Sequence, residues 1–316
     1  MKHTIKAFLI ALSFIALSCG SKSAQDTTST SLTGEIKVDG SSTVYPITEA
    51  MAEEFRTSQP NVRVTVGVSG TGGGFKKFGR GEIDINNASR PIKEKEAEIC
   101  KESKISYLDI KVAFDGLAVI VNKENTWVES ITVEELKKLW EPAAQGKITK
   151  WNQIRAEWPN EEIHLYGPGV ASGTYDYFTE VVVGESGSSR GDYTASEDDN
   201  VLVQGIMGDK NAIGFFGYAY FVENSENLKL VGVDNGKGAV LPSEESIRTG
   251  TYAPLARPVY IYVTNTAAKR AEVSAFVTFY LENAATLVSE VGYVPLPAED
   301  YKESLNRLAA FIAPAQ

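Results

Sequence analysis

The sequence predicts an α/β fold in which mixed, mostly parallel sheets are flanked by helices and the chain forms two lobes. Three observations lead to this prediction. Strand patterns pass into helix patterns at four places, a length of 316 residues favours two domains over one small core, and two apolar strand-like runs lie far apart in the chain. A composition of 43% hydrophobic and 23% charged residues is that of an ordinary soluble globular protein.

The first strand-to-helix junction follows a short predicted strand, GEIKVDG. Ile47, Met51 and Phe55 are spaced four residues apart, as on one face of a helix, and Pro46 suits the first turn of that helix. The stretch therefore predicts a strand, a short loop rich in hydroxyl groups, and an amphipathic helix.

The second junction contains three consecutive glycines. Valine at every second position from 62 to 68 predicts a strand, and Gly72 to Gly74 follow it in SGTGGGFKKF. We interpret these glycines as a loop between strand and helix. Such a loop serves either as a turn or as a set of bare amides that can close around an anion.

The third and fourth junctions repeat the arrangement. Ile83 and Ile85 predict a short strand, after which Pro91 begins a charged helix. The segment EIHLYG predicts another strand, and the helix after it carries an apolar stripe of Tyr175, Phe178 and Val182. Each loop taken singly is explained by helix capping. Four of them at the carboxyl ends of strands favour convergence on one small anion.

The two apolar runs suit paired crossings between the lobes. They are YLDIKVAFDGLAVIVNKEN and PLARPVYIYVTNT. We therefore expect residues 34–121 and 257–316 to form lobe I and residues 122–256 to form lobe II, inserted in the first.

The first residues read as an export signal. Lys2 and Lys6 precede a short apolar run, and small residues lead to Cys19. We expect residues 1–18 to be a signal peptide, Cys19 to carry a lipid anchor, and residues 19–33 to be a flexible tether. An ordinary cleaved signal peptide is the alternative. A lone Cys100 then stays in the folded part, most simply as packing on a helix.

Charge and residue usage exclude several functions. The net charge of −10 argues against nucleic acid as a partner. The same charge repels a small anion, so a bound anion must be held by local hydrogen-bond donors. His164 is the lone histidine after the signal, GVASGT does not match the G-x-S-x-G elbow, and the glycine stretch fails the P-loop pattern. No cysteine and histidine spacing indicates a metal site. Arg90 and Arg190 are candidates to neutralise the anion.

Six segments carry a resemblance to a known family: DGSSTVYPI, SGTGGGFKKF, INNASRPIK, ITKWNQI, GPGVASGTYDYF and SEDDNVLVQGI. They lie in this order across nearly the whole chain beyond the signal. The chain resembles the phosphate-binding proteins of bacterial ABC-type phosphate importers. The resemblance implies a two-lobed periplasmic-binding-protein fold of type II, phosphate as ligand, no cofactor and no catalysis. It also implies a monomer in the periplasm or at the cell surface that meets a membrane permease.

The resemblance also implies which residues bind phosphate. The matching positions are Ser42, Thr43, Val44, Thr71, Gly72, Ser89, Arg90, Ser172, Gly173 and Thr174.

This chain departs from some family members at two positions. Arg90 stands where they have an aspartate that accepts the phosphate proton, and Pro168 stands where they have an arginine. Asp176 is our hypothesis for the proton acceptor, with a helix-start preference as its alternative. A receptor for sulfate, molybdate or tungstate is the alternative ligand class, and a phosphatase is the enzyme alternative.

Overall fold

A computed structural model describes residues 31–314. The expected signal peptide, Cys19 and all but the last residues of the expected tether lie outside this range. The strands are β1 (Gly34–Gly40), β2 (Val62–Val66), β3 (Ile85–Ala88), β4 (Tyr107–Asn122), β5 (Ser130–Thr132), β6 (His164–Pro168), β7 (Thr194–Ser196), β8 (Ala212–Gly217), β9 (Leu228–Leu230), β10 (Gly232–Asp234), β11 (Ala239–Val240) and β12 (Ala256–Thr264).

The α-helices are α1 (Tyr45–Ser58), α2 (Gly70–Gly79), α3 (Glu94–Glu102), α4 (Val133–Trp140), α5 (Gly173–Phe178), α6 (Asp199–Met207), α7 (Tyr218–Glu223), α8 (Glu244–Arg248), α9 (Asn265–Ala268), α10 (Ala271–Glu290) and α11 (Ala298–Ile312). Two 3₁₀ turns lie at Pro142–Ala144 and Trp151–Gln153, and a π-helical turn, Thr179–Val183, continues α5. No helix in residues 31–314 is both long and apolar enough to cross a membrane.

The main sheet has the strand order β2-β1-β3-β12-β4-β8-β6-β7, and β9 pairs with β4. Pairing is parallel within β2-β1-β3 and within β8-β6-β7, and antiparallel along β3-β12-β4-β8. A small second sheet has the order β11-β10-β5. Helices flank both sheets, so the prediction of an α/β fold with mixed sheets is confirmed.

The long strand β4 changes its partner along its length. It pairs with β12 from Tyr107 to Gly116 and with β8 from Leu117 to Val121. We call the part built on β1, β2, β3 and β12 half I, and the part built on β6, β7 and β8 half II. The chain therefore crosses between the halves at β4 and at the start of β12. The exact lobe limits at residues 121 and 257 stay a prediction.

The first predicted helix and the C-terminal helices form the core of half I. Ile47, Met51 and Phe55 are all buried on α1, as their spacing predicts. Phe55 packs edge-on against Phe276 of α10 with ring centroids 5.3 Å apart. Aromatic contacts of this kind add to the hydrophobic stabilisation and fix α1 against α10.

The three glycines lie in a helix, which corrects the interpretation of this stretch as a loop. Helix α2 begins at Gly70 and includes Gly72–Gly74. A Cβ on Gly74 would lie 1.9 Å from Asn86 Oδ1 and 2.7 Å from Gly40 Cα. Glycine is needed there because the helix backbone lies directly against β3 and the end of β1.

Two other predicted bounds are wrong by a few residues. Helix α3 begins at Glu94 and not at Pro91, because Glu96 accepts a hydrogen bond from the Lys93 amide at 2.8 Å and caps the helix there. Ile83 precedes β3, which begins at Ile85. Cys100 is buried on α3, and burial raises the pKa of its thiol, in agreement with a packing role.

Candidate functional site

A pocket of about 330 Å³ lies where the loops of half I meet helix α5. Its lining is polar and is supplied by several separate segments: Ser41, Ser42, Thr43, Gly70, Thr71, Gly72, Ser89, Arg90, Lys93, Asp176, Tyr177, Glu180, Ser186 and Arg257. We call it the cationic pocket, after Arg90, Lys93 and Arg257. It collects seven of the residues proposed from the sequence: Ser42, Thr43, Thr71, Gly72, Ser89, Arg90 and Asp176.

The loop after β1 is held by the backbone of β3. Gly40 has φ of 134°, and a Cβ on it would lie 2.2 Å from the Asn87 carbonyl oxygen. The Ser41 amide donates to that same carbonyl at 3.0 Å. The hydroxyl of Ser42 then donates to Asp176 Oδ2 across the pocket at 3.3 Å. The first loop of half I thus faces the first turn of α5 in half II.

Val44 does not line the cationic pocket. Its side chain is fully buried in the core, and its amide donates to the Ser41 carbonyl at 3.2 Å. The Val44 amide is therefore hydrogen-bonded within the turn that leads into α1. For this reason we leave Val44 out of the site.

The second and third loops are joined by hydroxyl groups. The hydroxyls of Thr71 and Ser89 lie 3.0 Å apart, and the Ser89 amide donates to Thr71 Oγ1 at 3.1 Å. Gly72 lies beside them, and a Cβ on it would be 3.6 Å from Arg90 Nη2. Small residues thus leave room for a ligand next to the guanidinium group.

Arg90 is held in a bidentate ion pair. Its two Nη atoms donate to the Glu96 carboxylate at 2.9 and 2.8 Å, and Nη1 also donates to the Pro91 carbonyl at 3.1 Å. Burial raises the pKa of Glu96, but the hydrogen bonds from Arg90 and Lys93 outweigh it and hold that pKa below its usual range. The ion pair with Glu96 holds the Arg90 side chain in place and neutralises much of its charge.

Ser172, Gly173 and Thr174 face a larger cavity of about 660 Å³, which shares Ser42 with the cationic pocket. Ser172 caps α5 by accepting from the Thr174 amide at 3.2 Å. Thr43 Oγ1 donates to the Gly173 carbonyl at 3.4 Å, and a Cβ on Gly173 would lie 2.6 Å from Thr43 N. The SGT triplet thus contacts the first loop directly, beside the cationic pocket.

This larger cavity is acidic. Asp115, Glu197, Asp199 and Glu290 all line it. Burial, and after it the charges of Asp198 and Glu197, raise the pKa of Asp199 to about 6. A dianion is disfavoured among these carboxylates, so the cationic pocket is the better place for one.

Arg190 is not part of the site, which corrects its selection from the sequence. It is buried and lines neither cavity. It donates to the carbonyls of Leu139 and Ile148 at 3.1 and 2.9 Å, and it pairs with Asp192 at 2.5 Å. The hydrogen bonds that Arg190 donates to Asp192 are the main cause that lowers the pKa of Asp192 to about 2. Arg190 therefore joins α4 to neighbouring loops of half II.

Seven residues that line the cationic pocket were missed in the sequence: Ser41, Gly70, Lys93, Tyr177, Glu180, Ser186 and Arg257. Arg257 lies at the floor of this pocket against the ring of Tyr177, and its Nε lies 3.4 Å from Oδ2 of Asp115, which lines the larger cavity. Asp115 and Arg257 had a signal in the sequence, because each is a charged residue within an apolar crossing run: FDG in the first and LARP in the second. A charged residue in a buried strand requires a partner or a ligand, and this pair could have been selected on that ground.

The fold and the pocket define a class of protein, a two-part binding protein with a polar pocket between its halves. Residues 24–284 match the model of the family described as "PBP superfamily domain". The chain is 55% identical to SphX of Synechococcus elongatus over 86% of this chain and 80% of that protein. It is 40% identical to the phosphate-binding protein PstS of Staphylococcus saprophyticus, over 87% of this chain and 84% of that one.

Solved structures agree with this comparison. A possible phosphate binding protein from Planctomyces limnophilus superposes with a TM-score of 0.85 at 49% identity, covering 90% of this chain and 100% of that one. A putative phosphate ABC transporter substrate-binding protein from Clostridium perfringens, solved with bound phosphate, gives 0.55 at 25% identity, covering 84% and 100%. The chain belongs to the PBP superfamily and, within it, to the family of SphX and the phosphate-binding protein PstS, which confirms the resemblance.

Proposed function

We propose that this protein binds inorganic phosphate in the cationic pocket and delivers it to the permease of an ABC importer. The observation that supports this best is the convergence of hydroxyl groups, a glycine-rich helix start and two guanidinium groups from separate segments of half I, opposite helix α5 of half II. Hydrogen bonds to a charged group contribute roughly 1.5–3 kcal/mol each. A handful of them, offset by desolvation, accounts for binding at micromolar concentration or below.

The phosphate contacts that we propose come from both halves. From half I they are Ser42, Thr43, Thr71, Gly72, Ser89 and Arg90. From half II they are Ser172, Gly173 and Thr174, which line the larger cavity next to the cationic pocket, where Gly173 contacts Thr43. Asp176 is the proposed acceptor of the phosphate proton, supported by its place in the pocket opposite Ser42.

Titration calorimetry with phosphate, arsenate, sulfate, molybdate and tungstate tests the ligand. We expect binding of phosphate and arsenate, and sulfate binding that is weaker by at least about tenfold, because sulfate has no proton for Asp176 at neutral pH. Phosphate at a hundred times its Kd should stabilise the fold by about 2.7 kcal/mol. Tighter binding of sulfate, molybdate or tungstate would contradict the proposal and favour the alternative ligand class.

The family is one of solute-binding proteins, and we further propose that this member has no catalytic activity. His164, the histidine of the described residues, lies half-exposed on β6 with Nδ1 2.5 Å from Asp209, outside both cavities. Incubation with a chromogenic phosphate ester should release no product above background. Turnover that is lost on Arg90→Gln would support a phosphatase instead.

We also propose that the protein is a monomer held outside the cytoplasmic membrane by a lipid on Cys19, with residues 19–33 as its tether. The support for the anchor is the pattern of the first residues of the sequence, and the monomer is what the resemblance to the family implies. Metabolic labelling with a radioactive fatty acid should mark the full chain and not Cys19→Ser. Equal labelling of the two proteins would contradict the anchor without affecting the proposed ligand.

A further inference from the structure

Arg257 lies where the chain crosses between the halves. It is the second residue of β12 and is paired directly with Asp115 of β4. The next residue of β4, Gly116, is the last to pair with β12 before β4 changes to β8. The Arg257 side chain is 15% exposed, and Asp115 is buried below it. A guanidinium group therefore stands at the junction of the two halves.

The side chain of Arg257 contacts both sides of the cationic pocket. Its Nη2 donates to Thr43 Oγ1 in half I at 2.9 Å. Its Cζ lies 3.4 Å from the ring centroid of Tyr177 on α5, and Nη1 lies 3.8 Å from Glu180 Oε2 in the π-helical turn that follows. Stacking on Tyr177 fixes the plane of the guanidinium group, so its edge is directed into the pocket beside Thr43.

The charge of Arg257 is less compensated than that of Arg90. Arg90 donates to Glu96 through both Nη atoms at 2.8–2.9 Å. The carboxylates nearest to Arg257 are Asp115, through Nε at 3.4 Å, and Glu180, which is 60% exposed. Burial raises the pKa of Asp115, and the charge of Arg257 opposes that rise. A largely buried cation that lacks a close bidentate partner is well suited to an anionic ligand.

We propose that Arg257 binds the anion directly, as the main cationic ligand of the pocket, and that Tyr177 is the residue that positions it. The proposal rests on the phosphate-binding function given above. The chain crosses between the halves at the start of β12, where Arg257 lies. The ligand is then held by this connecting strand as well as by the loops of the pocket. Thr43 and the anion share the same guanidinium edge, which places the phosphate beside the first loop.

Affinity for inorganic phosphate, measured by calorimetry on the full chain, tests the role of Arg257. Arg257→Gln should weaken binding about 10- to 100-fold, which is the loss expected for charge-assisted hydrogen bonds. Arg257→Lys keeps the charge but lacks the planar fork, so it should fall between Arg257→Gln and the unchanged protein. Arg63→Gln, at an exposed arginine of β2, is the matched control and should bind as the unchanged protein does.

The outcomes separate this inference from the proposed function. An unchanged protein that binds no phosphate contradicts the function. An unchanged protein that binds phosphate, together with Arg257→Gln and Arg257→Lys variants that bind within twofold of it, overturns the inference and leaves the function intact. Circular dichroism of each variant without phosphate shows whether it is folded. If Arg257→Gln fails to fold, the result depends on Arg257→Lys, which retains the charge over Tyr177.

Tyr177 is tested by a pair of variants that differ only in the ring. Tyr177→Phe keeps the stacked ring but loses the hydrogen bond that the hydroxyl donates to the Pro254 carbonyl at 2.7 Å. Tyr177→Leu loses both. Both should melt at lower temperature, but a positioning role predicts that phosphate affinity falls with Tyr177→Leu and is largely recovered with Tyr177→Phe. Equal affinities for the two variants would overturn that role.

Discussion

Two carboxylates one helical turn apart face the cationic pocket from half II. Asp176 accepts from Ser42, and Glu180 lies near Arg257. Of the two, Asp176 is closer to the hydroxyl groups that would surround the anion, whereas Glu180 is more exposed at the rim. A single carboxylate beside the bound oxyanion is enough to distinguish an anion that carries a proton from one that does not.

Asp176→Asn should therefore reduce the preference for phosphate over sulfate. The amide cannot accept the phosphate proton as a carboxylate does, and it no longer repels sulfate, so we expect phosphate affinity to fall about tenfold and sulfate affinity to rise. Calorimetry with both anions measures the ratio. Asp300→Asn, at an exposed aspartate of α11, controls for the lost charge. An unchanged ratio would mean that Asp176 serves only the start of α5.

The acidic cavity predicts a pH dependence of stability. Because burial raises the pKa of Asp199 to about 6, the folded state holds this proton more tightly than the unfolded state, and stability falls as pH rises from about 4 to 6. Asp199→Asn should thus stabilise the protein by about 1–3 kcal/mol at pH 8. Urea unfolding at pH 8 and at pH 4 measures this difference, which should nearly vanish at pH 4. An equal gain in the free energy of unfolding at both pH values would show that the gain does not come from the titration of Asp199.

At the scale of single elements, helix α2 shows how tertiary contact overrides local preference. Three consecutive glycines are unfavourable in a helix, and for that reason the sequence predicts a loop. The helix forms because Gly74 packs against Asn86 and Gly40, whose positions depend on strand pairing elsewhere in the chain. Helix α1, by contrast, has an apolar stripe that is visible in the sequence itself, and the prediction of its buried residues is confirmed.

Two alanine variants of α2 should differ sharply in stability. Gly74→Ala places a Cβ 1.9 Å from Asn86 Oδ1, so it should cost about 1–3 kcal/mol, because Asn86 and Gly40 must move. Gly72→Ala meets Arg90 Nη2 at an ordinary 3.6 Å and gains helix propensity, so it should not destabilise. Melting of the two variants side by side gives the comparison. Equal melting temperatures would show that the packing against Asn86 is not tight.

At the scale of the whole molecule, the sequence predicts the loops of the site better than its floor. Ser42 and Ser89 lie just after strands, and Thr71 lies in the first turn of α2, and local patterns reveal such positions. Arg257 and Asp115 meet only because two strands 142 residues apart pair across the junction of the halves. A charge within a buried run marks each residue as one that requires a partner, but nothing local specifies that register, so the sequence alone could not place Arg257 at the floor of the pocket.

The pocket is formed by both halves, so a ligand in it should restrain both. Among the phosphate contacts that we propose are residues 42–43 and 71–72 in half I and residues within 172–176 in half II. We expect phosphate to slow hydrogen exchange in peptides from all three segments, because opening either half would break bonds to the anion. Residues 151–163 of half II line neither cavity and should exchange as before. Protection confined to half I would mean that the anion is held by the loops of one half, and the two-sided pocket would then not be the binding site.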